Sequence, residues 1–100
     1  MIVVREVFTA KPGQASKLAR LCKKAFTGEP GPRVLTDLVG NYNTVVIETT
    51  MKTLGEFEKQ MEDMKSGKPD PRMDPQVAEE LSRYTEMYLT GRREIFQIVD

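Results

Sequence analysis

Ile2-Val3-Val4-Arg5-Glu6-Val7-Phe8-Thr9-Ala10-Lys11-Pro12-Gly13 opens the chain. Side chains alternate across a strand, so a sheet with one wet face should carry one polar set. Here Ile2, Val4 and Phe8 fall on one side and Val3 and Val7 on the other. The stretch therefore predicts a strand with two apolar faces, broken by Lys11-Pro12-Gly13. Three further segments read the same way. Val34 and Leu38 oppose Leu35 and Val39 in a strand from about Arg33 to Val39; Val45 and Ile47 oppose Val46 in one from Thr44 to Thr50; Ile95 and Val99 oppose Phe96 and Ile98 in one from Arg93 to Val99. Helices on one side leave the second face to be covered by another chain.

The segments between these strands carry helical spacing. After Gly13, the residues Ala15, Leu18, Cys22 and then Ala25 or Phe26 form a stripe three and four apart, with Gly28 as stop and Pro30 behind it. Gly40-Asn41-Tyr42-Asn43 is a short connection, so the second and third strands make a hairpin; asparagine suits the left-handed turn positions. Thr53-Leu54-Gly55-Glu56 is a capping box. The apolar stripe Leu54, Phe57, Met61 and Met64 follows it, and Gly67 is the stop. Lys68 to Asp74 holds two prolines and reads as a loop. Asp74-Pro75 then offers an N-cap with proline in the first helical turn. Val77, Leu81, Tyr84 and Tyr88 line the third helix, with Glu79 and Arg83 as an outer pair and Gly91 as its end.

The order β-α-β-β-α-α-β is, but for one extra helix, the split βαβ pattern of a ferredoxin-like α+β fold. Right-handed crossovers put the helices on one face of a four-stranded antiparallel sheet. Residues 1–100 read as one domain, long enough to bury roughly 65% of its unfolded surface.

Composition excludes several classes. Fifteen basic and fifteen acidic residues cancel, which leaves no electrostatic footprint for nucleic acid or an anionic membrane. An RNA-binding sheet of this topology needs exposed aromatics on its central strands; Thr44-Val45-Val46-Ile47-Glu48 has none. With no histidine and one cysteine, zinc, haem and Ser-His or Cys-His nucleophiles lack their usual groups. The expectation is no metal and no cofactor. Cys22 has no partner for an internal disulfide and reads as a buried, inert thiol. No basic segment with an apolar run opens the chain, and no stretch approaches the ~20 apolar residues of a membrane span. A cytoplasmic protein is the resulting expectation.

Val7-Phe8-Thr9-Ala10-Lys11-Pro12-Gly13 before an amphipathic helix resembles the opening of NIPSNAP-type and antibiotic-biosynthesis-monooxygenase-type domains. Gly91-Arg92-Arg93-Glu94-Ile95-Phe96-Gln97-Ile98 is similar to the closing strand of the NIPSNAP group. The resemblance implies the dimeric α+β barrel superfamily, in which two sheets pack face to face. Monooxygenase-like members often carry a glutamate at the end of the third strand, which Glu48 matches. They also carry a histidine on the next helix, where this chain has Lys59.

Arg5 and Glu48 interrupt the central strands. Those strands are neighbours in this fold, so the two residues form either an ion pair or a polar patch inside an apolar cavity. Glu6 is a rival partner for any nearby arginine. Tyr84 and Tyr88 serve either the core or the orientation of an aromatic ligand. Arg5, Glu48, Tyr84 and Tyr88 are thus the candidate ligand-binding residues, and Glu48 is the candidate catalytic base. The leading expectation is a homodimer that binds a small apolar or aromatic molecule between sheet and helices. The alternatives are a cofactor-independent monooxygenase or isomerase, and an interaction module without a pocket.

Overall fold

A computed structural model describes residues 1–25, 31–66 and 74–100. The elements are β1 (Ile2–Ala10), α1 (Ala15–Ala25), β2 (Arg33–Thr36), β3 (Thr44–Met51), α2 (Leu54–Lys65), α3 (Pro75–Ser82), a 3-10 turn (Tyr84–Glu86) and β4 (Tyr88–Gln97). All strand pairs are antiparallel, in the order β2-β3-β1-β4. This is the ferredoxin-like α+β arrangement expected from the sequence.

The register assigns the two faces. Phe8 lies opposite Val45 and Gly91, Glu6 opposite Ile47 and Arg93, and Val34 opposite Ile47. These residues share the helix-covered face, because Val45 and Ile47 pack with Leu18 and Cys22 of α1. Leu18 and Val45 are fully buried at the centre of this core. Lys11-Pro12-Gly13-Gln14 delivers α1 to it. The Gln14 N–H donates to the Lys11 carbonyl and Gly13 has φ +81°, as fits a type II turn with proline second and glycine third. The stripe read from the sequence is buried at Leu18, Cys22 and Ala25, and Leu21 joins it. Phe26, Gly28, Pro30, Gly67 and the loop through residue 73 lie outside the described residues.

Both predicted caps form. The Glu56 N–H donates to Thr53 Oγ1 at 3.2 Å, and the Gln76 N–H to Asp74 Oδ1 at 2.8 Å. The Glu56 carboxylate reaches one residue further back than a standard capping box and accepts from the Lys52 N–H.

Two boundaries differ from expectation. β2 ends at Thr36 rather than Val39. The Asp37 carboxylate accepts the Thr44 N–H at 3.0 Å, so a side chain takes over where a longer ladder would have continued. Leu38 and Val39 are pushed into solvent at 99% and 97% exposure. The second difference concerns α3, which stops at Ser82. Tyr84 belongs to the 3-10 turn and Tyr88 begins β4, which starts five residues earlier than expected and ends at Gln97. Gly91 is therefore not a helix stop but a residue inside a strand. A Cβ there would meet the Phe8 ring at 3.0 Å, so the glycine makes room for that ring.

Candidate functional site

The face away from the helices carries the odd residues of β1 and the even residues of β3. At one level of the sheet, Arg33 lies opposite Glu48, Glu48 opposite Arg5, and Arg5 opposite Glu94. Arg5 Nε is 3.4 Å from Glu48 Oε2, Arg33 Nε 3.8 Å from Glu48 Oε1, and Arg5 Nη1 3.7 Å from Glu94 Oε2. Arg92, one pleat along β4, adds a close pair to Glu94 at 2.6 Å. The hydrogen bond from Arg92 comes first among the causes that hold the Glu94 carboxyl below its ordinary range; the charges of Arg92 and Arg5 add to it. The Nε of Arg5 is shielded from solvent yet donates to no acceptor. On one side of the charges lie Leu35, Val46 and Val7 in line with Arg92, and on the other Val3 and Phe96 in line with Thr50.

The expected juxtaposition of Arg5 and Glu48 is therefore present, as an ion pair. Each oxygen of Glu48 faces an arginine, Oε2 that of Arg5 and Oε1 that of Arg33.

Tyr84 and Tyr88 sit on the opposite side of the sheet. With Phe8 they form a three-ring cluster, with centroids 4.7 Å apart for Phe8 and Tyr88, 5.7 Å for the tyrosine pair, and 6.2 Å for Phe8 and Tyr84 edge to face. Burial first, and then the neighbouring Tyr88, push the Tyr84 hydroxyl above its ordinary pKa. Beside the cluster Glu6 pairs with Arg93, whose guanidinium lies 5.2 Å from the centre of the Phe57 ring of α2. Arg5 and Glu48 thus face away from Tyr84 and Tyr88, on the opposite side of the sheet.

A separate concavity of about 510 Å³ lies between the start of α1 and the β2–β3 loop. Ala15 and Ser16 form one wall; Leu38, Val39 and Tyr42 form the other, with Asp37 and Asn43 as polar groups. Its size is that of a small-molecule site. Tyr42 and Asn43 both take left-handed backbone, at φ 66° and 57°. Asparagine tolerates this region, whereas a tyrosine there is strained. None of the four candidate residues lines this space. The sequence signal for it was Leu38-Val39, two apolar residues directly behind an aspartate able to close a loop. Among the described residues no three His, Cys, Asp or Glu side chains come together as a metal site, and no helix is long and apolar enough to cross a membrane.

Several solved structures share this architecture. An uncharacterized NIPSNAP domain protein from Burkholderia xenovorans superposes with a TM-score of 0.71 at 15% identity, over 99% of this chain and 95% of its own. A NIPSNAP family protein from Agrobacterium tumefaciens gives 0.71 at 11% identity, over 99% and 93%. The fold is that of the NIPSNAP domains. A NIPSNAP-like domain protein, also from Burkholderia xenovorans, matches less closely, with a TM-score of 0.65 at 13% identity over 98% of this chain and 84% of its own. No protein-family model matches the sequence, and no match was found among curated proteins. The NIPSNAP likeness read from the two sequence motifs thus reappears in the backbone, at identities that speak for the fold alone.

Proposed function

We propose that this NIPSNAP-like chain is a homodimer joined through its open sheet face, and that each subunit binds a small apolar or aromatic molecule. The binding site is the concavity between α1 and the β2–β3 loop. The observation that carries the ligand reading is that space itself: about 510 Å³, where Ala15, Leu38, Val39 and Tyr42 meet the polar Ser16, Thr36, Asp37 and Asn43. Pockets for small ligands combine those features. Leu38 and Val39, exposed in the free chain, gain cover when a ligand lies against them. The dimer reading rests on Leu35 and Phe96, which stay exposed beside the charge row, and on the half-buried Val3; Val7 and Val46 lie between them and are already buried within the chain.

Two experiments test the two halves. Sedimentation at micromolar concentration gives twice the mass of the chain; a stable monomer ends the dimer reading. For the ligand, an anilinonaphthalene dye serves as an aromatic probe. Ser16→Trp fills the concavity and abolishes dye binding, while unchanged far-ultraviolet dichroism shows that the fold is kept. Equal dye binding by both proteins, with no small molecule released from the purified protein on denaturation, ends the ligand reading.

A further inference from the structure

We infer that the charge row on the open sheet face sets the orientation in which a second copy of this chain docks. The inference rests on the homodimer proposed above. Read from β2 to β4, the row is Arg33, Glu48, Arg5, Glu94: plus, minus, plus, minus. An alternating row with an even number of members inverts its signs when it is read backwards.

Two sheets packed face to face as a closed dimer are related by a twofold axis lying between them. Suppose the axis runs along the row, across the strands. Every residue then faces its own counterpart, arginine over arginine and glutamate over glutamate. If instead the axis runs parallel to the strands, midway between β3 and β1, the row is reversed. Arg33 then faces Glu94 of the second copy, and Glu48 faces Arg5. All four positions meet the opposite sign. The same operation lays Val46 on Val7 of the second copy, with Arg92 over Leu35 outside them. Aligned packing of twisted sheets allows this orientation to within about 30°.

The chain leaves capacity for such a second layer. Its contacts along the row are loose, at 3.4, 3.7 and 3.8 Å, and Arg5 Nε has no acceptor. Three strands of about eight residues and the four residues of β2, at ~4.8 Å between strands and ~3.3 Å per residue, give a flat face of roughly 450 Å². Side-chain relief raises its accessible area toward the ~800 Å² that each partner contributes to a standard interface.

The experiment inverts the whole row. Arg33→Glu, Glu48→Arg, Arg5→Glu, Glu94→Arg and Arg92→Glu together preserve every pair within the chain but reverse every sign. The inverted chain is again self-complementary, so it dimerises. Against the wild type it presents like charge at all four positions. After unfolding and refolding an equimolar mixture, native mass spectrometry reads the three dimers. The expected result is two homodimers, with the mixed dimer well below its statistical half. A mixed dimer at one half shows that the row plays no part in docking. A mixed dimer above one half favours the other axis. Either result overturns the inference, whereas a monomeric wild type ends the homodimer reading itself.

Should the inverted chain fail to fold, two substitutions suffice. Arg33 and Glu94 lie on opposite edges of one sheet and do not touch within a chain. Arg33→Glu alone and Glu94→Arg alone each weaken the dimer about tenfold or more, as opposed like charges do. The double variant recovers most of that loss only if the two positions meet across the twofold axis. No recovery overturns the proposed orientation.

Discussion

α1 and α2 both present apolar stripes to the same face of the sheet, yet only one of them is locked in place. α1 buries Leu18, Leu21, Cys22 and Ala25, whereas α2 buries no residue. Leu54 and Met64 stay 60% and 57% exposed, and Phe57 and Met61 are only half covered. The helices are held by different means. α1 is fixed by what it packs against, α2 by its own ends, through Thr53, Glu56 and the turn at Ser66. A stripe tells which side of a helix faces the sheet; it does not tell how deeply that side goes in.

The largest expected effect breaks the comparison if it is absent. Leu18→Ala removes a fully buried side chain and costs roughly 2–5 kcal/mol in chemical denaturation. If the same truncation at Leu54 cost as much, α2 would be as deeply packed as α1.

A pH titration sharpens the contrast from the α1 side. Burial pushes the Cys22 thiol from 9.0 up to about 11. The folded state thus favours the neutral thiol. Its contribution is fully present below the unfolded pKa and is lost as pH rises from 9.0 through about 11. Stability measured over that window falls more steeply for the wild type than for Cys22→Ala. Parallel curves would mean that the thiol meets water.

Smaller effects belong to α2. Thr53→Ala removes a capping acceptor and costs about 1 kcal/mol. Leu54→Ala, at an exposed position, changes stability by less than about 0.5 kcal/mol. The two values should keep that order; a reversal would make packing, not capping, the support of α2.

How much of this was legible follows from what each signal physically reports. β1 and β3 were readable because their alternation and turns agree. The caps were readable because Thr53-to-Glu56 and Asp74-Pro75 are local chemistry. The end of α3 was not. Tyr84 and Tyr88 stand four apart, as helix neighbours do, and Gly91 follows at the place of a stop. Pairing with the nine-residue β1 outweighed that local pattern and drew Tyr88 into β4. The length of β2 was hidden for a related reason. Leu38 and Val39 continue the strand pattern, but the bond from Thr44 to Asp37 closes the loop before them. Of the candidate site, the meeting of Arg5 with Glu48 was readable from neighbouring strands. The extension of that pair to Arg33 and Glu94 needed the register. The concavity beside Tyr42 needed a loop shape that no periodicity encodes.

β4 is an outer strand of ten residues, and an outer strand offers a row of free backbone groups on which another sheet could grow. Arg92-Arg93-Glu94 stands at its middle and sends charge to both faces. A strand from another molecule approaching edge to edge would have to set its own side chains beside those charges. The same residues that dress the sheet faces therefore guard its border against runaway sheet extension, and replacing all three with threonine would leave a strand of high β-propensity open to fibre growth.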